Sequence, residues 1–431
     1  MNASLKGKKI LFATLPADGH FNPLTGLAKY LQAAGCEVRW YTSPIYRDKL
    51  EKLGIGHYPF RQALDTNGQN LDEHFPARTT MQDPVERLNF DMINGLVNRS
   101  PEYYADMLEV YGSFPFDLVV TDSLFPAIPF VKVKLNVPVV AIGVVPLAET
   151  SVDLPPYGMA LAPPADEAAR AEHAKLRDFA QNVLFKPSID AFDATLREYG
   201  IVVPKSAPFD LLIKQADLYL QIGTPGFEYA RTDLGENIRF VGALLPYSAG
   251  TERKPWSNDR LGKYEKIVLV TQGTVEKDPQ KILEPTLTAF RDSDVLVVAA
   301  TGGSGTDALR STYAAENVII EDFIPFDQVM PFAGVFVTNG GYGGTLLSIR
   351  HQLPMVAAGV HEGKNEVCKR IGYFRLGIDL GTETPDPAAI RGAVEEVLAD
   401  PAYRENVIRL AGELATYHAE ERCAGYIAGL L

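Results

Sequence analysis

Short apolar runs alternate with amphipathic stretches along most of the chain. Lys9–Thr14 is almost continuously apolar, the pattern of a strand buried on both faces of a parallel sheet. Behind it, Asn22 and Pro23 suit the cap and first position of a helix. Leu24, Leu27, Ala28 and Leu31 share one helical face, and Gly35 sits where that helix should stop. Further strands are predicted over Glu37–Thr42, Asp117–Asp122, Val137–Gly143, Ala216–Ile222 and Ile238–Val241, separated by mainly helical stretches. Strands alternating with helices predict an open α/β sheet.

Periodicity fails between Leu244 and Leu261, where Pro, Ser, Gly and charged residues gather as in a linker. The alternation then restarts with Ile267–Thr271, a helix over Pro279–Arg291, and strands over Val295–Ala300, Val318–Asp322, Val335–Asn339 and Pro354–Ala358. We therefore expect a first domain over residues 1–243, a linker over 244–261, a second domain over 262–400 and a helical tail over 401–431. The tail either caps the second domain or crosses back to the first. Arg61–Tyr111 and Val145–Gly200 break the alternation, and insertions of this kind on a rigid scaffold usually carry ligand specificity.

Composition narrows the choice of partner. The 431 residues are 46% hydrophobic and 22% charged, enough for two or three folded domains at about 150 residues each. With 41 Lys and Arg against 54 Asp and Glu, the net charge is −13, which argues against holding nucleic acid or anionic lipid by bulk charge. Cys36, Cys368 and Cys423 show neither CxxC spacing nor a disulfide framework, so a reducing cytoplasm is expected. The apolar stretch Ile10–Leu15 is far shorter than the roughly 20 residues of a membrane span, and Met1–Lys9 is polar; neither a signal segment nor a span is expected.

In open parallel sheets the loops at the carboxyl ends of strands line the ligand crevice, and the chemistry-bearing residues fall there. His20 follows the first strand and Asp122 ends the strand that begins at Asp117. A carboxylate at that edge can accept one ring proton of the imidazole and fix its tautomer, leaving the other nitrogen to take a proton from a hydroxyl. Ser123 is adjacent but lacks a nucleophile elbow. In the second half, Asn339-Gly340-Gly341-Tyr342-Gly343-Gly344-Thr345 runs from a strand into a helix and offers free amides to an anion, with neither dinucleotide nor Walker spacing. Gln272-Gly273-Thr274 forms a second small turn of this sort. Phe323 and Ile324 stand at a third strand end, suited to stacking a flat base, and Glu362-Gly363-Lys364 at a fourth can hold sugar hydroxyls. No set of residues with metal-ligand spacing stands out.

Together these residues resemble the inverting nucleotide-sugar glycosyltransferases with two Rossmann-like domains facing across a cleft (GT-B), in the group of plant natural-product glucosyltransferases and bacterial macrolide glycosyltransferases. The resemblance spans nearly the whole chain and is strongest from Phe323 to Lys364. It implies His20 as general base and Asp122 as the residue orienting it. It also implies Phe323 and Ile324 at the uracil, Gly341, Gly343, Gly344 and Thr345 with Asn339 around the diphosphate, and Gln272, Gly273 and Thr274 beside them. The sequence departs from the family at Asn339, usually His, at Leu347, usually a Glu that holds ribose, and at Gly363-Lys364, where an acidic residue and Gln are usual. The expected activity is metal-independent transfer of a sugar, glucose being the expected one, from a UDP-sugar co-substrate to a hydroxylated, largely apolar small molecule. No cofactor is expected. Phe75, Phe90, Tyr103, Tyr104 and Tyr111 are candidates for an aromatic acceptor pocket. A nucleotide-sugar-binding protein without catalysis, or an epimerase on the same two-domain plan, remains open at this point.

Overall fold

The computed structural model describes residues 3–67, 70–247, 256–273, 276–361 and 363–431. Two parallel sheets organise the chain. The first takes β1 (Lys9–Ala13), β2 (Glu37–Thr42), β3 (Gly56–Pro59), β4 (Leu118–Asp122), β5 (Val139–Gly143), β6 (Leu218–Ile222) and β7 (Ile238–Gly242) in the order β3-β2-β1-β4-β5-β6-β7. The second takes β8 (Lys266–Thr271), β9 (Val295–Ala300), β10 (Val318–Glu321), β11 (Val335–Thr338), β12 (Met355–Ala357) and β13 (Gly377–Asp379) in the order β10-β9-β8-β11-β12-β13. Every residue of β4, β5 and β9 is buried, as strands covered by helices on both faces must be. Parallel pairing needs crossover connections, which are helical between most of these strands, and this is why the apolar runs alternate with amphipathic stretches.

In each sheet the strand order reverses beside the first strand. β1 has β2 on one side and β4 on the other, and β8 has β9 on one side and β11 on the other. Loops leaving two such neighbours in opposite directions part at their carboxyl ends and open a crevice there. The crevice of the first sheet lies after β1 and β4; that of the second lies after β8 and β11.

The helix after β1, α1 (Asp18–Ala33), begins four residues before the expected cap at Asn22. Ala17 caps it through its carbonyl, which accepts the amides of His20 and Phe21, both at 2.9 Å. Burial of Phe21 is the competing force: its ring stacks on Tyr46 at 4.1 Å and packs on Trp40 at 4.5 Å, holding the turn helical. Pro23 is therefore inside the helix, where it deprives the Gly19 carbonyl of its amide partner; Gly19 is exposed, so water can reach it. The predicted apolar face is the buried one, with Leu24, Leu27, Ala28 and Leu31 inside. Leu283–Phe290 is helical where a longer helix over Pro279–Arg291 was expected.

Four further helices bear on the site: α2 (Pro84–Asp91), α3 (Tyr342–Arg350), α4 (Lys364–Tyr373) and α5 (Pro401–Ala415). The last helix, α6 (Ala419–Ala428), packs on α1 and β7 of the first sheet. Its Cys423 and Ile427 are fully buried in a cluster that also holds Leu24, Leu27 and Leu31. Among the described residues no helix is long and apolar enough to cross a membrane. Truncating the Ile427 side chain leaves a void in this cluster; Ile427→Ala is expected to lower stability by about 2–4 kcal/mol, read as a lower urea midpoint in circular dichroism.

Candidate active site

Asp122 closes β4, and its neighbour in register, Thr121, pairs with Ala13 of β1, so both chains leave the sheet side by side. The carboxylate is fully buried and accepts three hydrogen bonds. Oδ2 accepts the Leu15 amide at 2.8 Å; Oδ1 accepts the Leu124 amide at 2.9 Å and faces His20 Nδ1 at 2.8 Å. The two amides anchor the carboxylate to both loops before it meets the imidazole. His20 sits in the first turn of α1 with 16% of its side chain exposed. An ionised carboxylate only accepts, so in a neutral ring beside it Nδ1 is the nitrogen that carries the proton and Nε2 the one with the lone pair.

Across the second crevice the predicted donor residues gather at the ends of β8, β10, β11 and β12, with two shifts of role. Gln272 is buried, and its Nε2 donates to the Asp278 carbonyl at 2.8 Å, so the side chain shapes its own turn instead of offering donors to a ligand. Asn339 Nδ2 donates to the Gln272 carbonyl and its Oδ1 accepts the Gly341 amide at 3.3 Å; this side chain braces the two loops against each other. Gly273 lies beside it in left-handed backbone at φ +80°, which a side chain would strain.

Gly341 caps α3 with no side chain, leaving the amides of the first turn, Tyr342, Gly343 and Gly344, without a capping partner. Added bulk at Gly343 would meet nothing, so this end of the helix opens outward. Thr345 is fully buried, and its hydroxyl has no hydrogen-bond partner among the described residues. Phe323 is 69% exposed while Ile324 beside it is buried. A Cβ on Gly303 would lie 3.5 Å from the Phe323 ring, so one side of the ring rests on a glycine turn. Gly363 caps α4 at φ +75°, immediately before Lys364. Thr274 and Glu362 lie outside the described residues.

Among the acceptor candidates, Phe75 meets Phe90 of α2 edge to face with ring centroids 6.0 Å apart, and both are half-buried. Tyr103 and Tyr104 do not line a pocket: both are buried in the core, Tyr103 against Phe60 and Phe125. Tyr111 packs on Phe116. Among the described residues no group of three His, Cys, Asp or Glu side chains is placed to hold a metal ion. The three cysteines are free and buried, and burial pushes the Cys368 thiol up to about 12.

Sequence reasoning missed the seam between the two sheets. Tyr342, in the first turn of α3, donates its hydroxyl to the Ile222 carbonyl at 2.6 Å, at the end of β6. Arg370 of α4 is buried between two carboxylates: Nε and Nη2 donate to Glu228 Oε2 at 3.0 and 2.8 Å, and Nη1 donates to Glu366 Oε2 at 3.0 Å. Burial alone would lower the guanidinium pKa, but Glu228 and Glu366 reverse that and raise it. Glu366 Oε1 accepts the amides of Gly158 and Ala160 at 2.8 and 2.9 Å, and Glu228 Oε1 accepts that of Leu147 at 2.9 Å. Ala160 is held at φ +51°, a left-handed conformation that costs a residue with a Cβ about 1–2 kcal/mol. The spacing of Glu366 and Arg370, one helical turn apart, was the only signal available for this network.

Residues 286–425 match the family described as erythromycin biosynthesis protein CIII-like, C-terminal domain. The chain is 32% identical over 429 residues to 4'-demethylrebeccamycin synthase of Lentzea aerocolonigenes, covering 99% of this chain and 100% of that protein. It is 30% identical to UDP-glucosyltransferase 1 of Beauveria bassiana, covering 93% and 90%. Among solved structures, the glycotransferase of kitacinnamycin superposes with a TM-score of 0.77 at 20% identity, covering 99% and 100% of the two chains. A spinosyn rhamnosyltransferase complexed with thymidine diphosphate gives 0.66 at 16%, covering 97% and 99%. The chain belongs to the UDP-glycosyltransferases of GT-B family 1, enzymes that transfer sugar from a nucleotide donor.

Arg370→Met leaves Glu228 and Glu366 buried without their counter-charge. The expected loss is about 3–5 kcal/mol of stability, measured by urea unfolding; a loss below 1 kcal/mol would show that water reaches the seam.

Proposed function

We propose that the protein moves a glucosyl unit from UDP-glucose to a hydroxyl of a small, largely apolar acceptor by direct inverting displacement. The observation that carries this reading is the 2.8 Å contact of His20 Nδ1 with the buried Asp122 at the switch point of the first sheet. Nε2 takes the acceptor proton as the acceptor oxygen attacks the anomeric carbon from the face opposite the nucleotide. The bond from that carbon to the phosphate oxygen breaks, and UDP departs with the bonding pair. Asp122 then faces an imidazolium and offsets its charge.

The donor reading rests on the second crevice. The uncapped first turn of α3, with Gly341, Gly343, Gly344 and Thr345, presents amides and the positive helix end to the diphosphate. Gly273 lets the neighbouring turn approach closely, and Asn339 holds the two turns in register. Phe323 supplies a stacking face for the base, and Ile324 main-chain groups for its edge. Gly363, Lys364 and Glu362 are assigned to the sugar side. With phosphate charge met by amides and a helix end, we assign no metal to the reaction. The UDP donor follows the named activity of the Beauveria relative, and the Phe75–Phe90 pair supports an acceptor with an apolar or aromatic body. Three free thiols suit a cytoplasmic setting.

Holding both substrates across the crevices supplies orientation, and the base adds a proton-transfer contribution of about 10²–10⁴-fold. His20→Ala is accordingly expected to lower kcat by about 10²–10⁴-fold while UDP-glucose still binds, as measured by calorimetry. Full turnover in that variant would remove the assigned base. Acceptor-dependent UDP release should also persist in EDTA, with the product anomer inverted by NMR; chelator-sensitive release or a retained anomer would overturn the mechanism.

A further inference from the structure

Segment 157–160 of the first domain lies directly against the start of α4 in the second. A Cβ on Gly363 would be 3.3 Å from the Tyr157 hydroxyl, so the phenol occupies the space that a longer side chain at that position would need. The left-handed backbone of Gly363 resists such a side chain in any case. Asn365 Nδ2 donates to the Gly158 carbonyl at 2.8 Å, and one oxygen of Glu366 gathers the amides of Gly158 and Ala160. Glu366 is in turn fixed by Arg370, and Arg370 by Glu228. The Tyr157 ring meets Phe209 edge to face at 6.4 Å. Burial, with help from Glu366, pushes its phenol well above the usual tyrosine range, so it stays protonated and can both donate and accept.

A sugar hydroxyl needs a partner of that kind, and glycine has none to give. We propose that Tyr157 is a donor-sugar contact supplied by the first domain, its hydroxyl serving where position 363 carries no side chain. Glu366 and Arg370 are positioning residues that act through it. The inference rests on the reading that Gly363-Lys364 faces the sugar of the donor. Its consequence is a division of labour: the second domain holds the nucleotide, while recognition of the sugar depends on a group delivered across the seam.

The test compares UDP-glucose with UDP in the intact protein. Tyr157→Phe, which removes one oxygen and keeps the ring, is expected to raise the KM for UDP-glucose by about two- to tenfold, with inhibition by free UDP and the melting temperature unchanged. Glu366→Ala should raise the same KM. The double variant should be no worse than Glu366→Ala alone, as two residues acting through one contact require. Glu366→Gln keeps an oxygen for the two amides and should restore most of the loss. An active enzyme whose donor KM ignores Tyr157→Phe overturns this inference and leaves the proposed function standing. Additive losses in the double variant overturn the positioning role of Glu366. A wild-type protein that binds UDP-glucose and TDP-glucose no more tightly than the free diphosphates, and transfers from neither, overturns both.

Discussion

Parallel pairing of β1 with β4 sets Ala13, the last residue of β1, beside Thr121, and β4 ends one residue later at Asp122, so both strands end on the same edge of the sheet. Because the sheet winds in opposite directions from this pair, no crossover helix covers their ends. A loop that must turn immediately into a helix, α1, meets a carboxylate that must terminate a buried strand. The carboxylate cannot remain buried without donors, and two backbone amides and an imidazole are what the edge provides. The carboxylate–imidazole geometry therefore follows from strand order before any ligand is considered. The same reversal between β8 and β11 places a glycine turn and an uncapped helix start on the second sheet.

The seam between the sheets is held by polar chemistry with little tolerance for loss. Tyr342 ties the first turn of α3 to the end of β6, and Arg370 ties α4 to Glu228 and, through Glu366, to segment 158–160. Buried ion pairs gain little over a well-packed apolar core, but each fixes one geometry because alternatives leave a charge unpaired. Two of the segments so tied, the start of α3 and the start of α4, are those assigned to the donor. On that assignment, stability and alignment of the donor draw on the same contacts.

Much of the fold was legible because parallel strands buried on both faces leave continuous apolar runs, as in Val295–Ala300, whose predicted and observed limits coincide; those of Glu37–Thr42 coincide too, although Glu37 and Arg39 interrupt its apolar residues. Two strands were missed for the opposite reason: Gly56–Pro59 and Gly377–Asp379 are short edge strands whose sequences carry no apolar run. The start of α1 was misplaced because local cap chemistry at Asn22 lost to burial of Phe21, a tertiary effect. Candidate residues at strand ends could be named, since loops after β1, β4, β8 and β11 are fixed by topology. Their roles were less visible, as with Asn339 and Gln272, whose side-chain amide nitrogens are spent within the loops. Glu228 and Arg370 stand 142 positions apart, and no local pattern connects them.

The position of α6 bears on how the chain reaches this state during synthesis. The helix that covers α1 and β7 is translated only after the entire second sheet. Until it emerges, α1 and β7 lack the helix that packs on them, so completion of the first sheet is deferred even though its strands come first off the ribosome. A nascent chain stalled after β7 lacks the helix that packs on α1 and β7, so maturation of the two halves becomes a single late event.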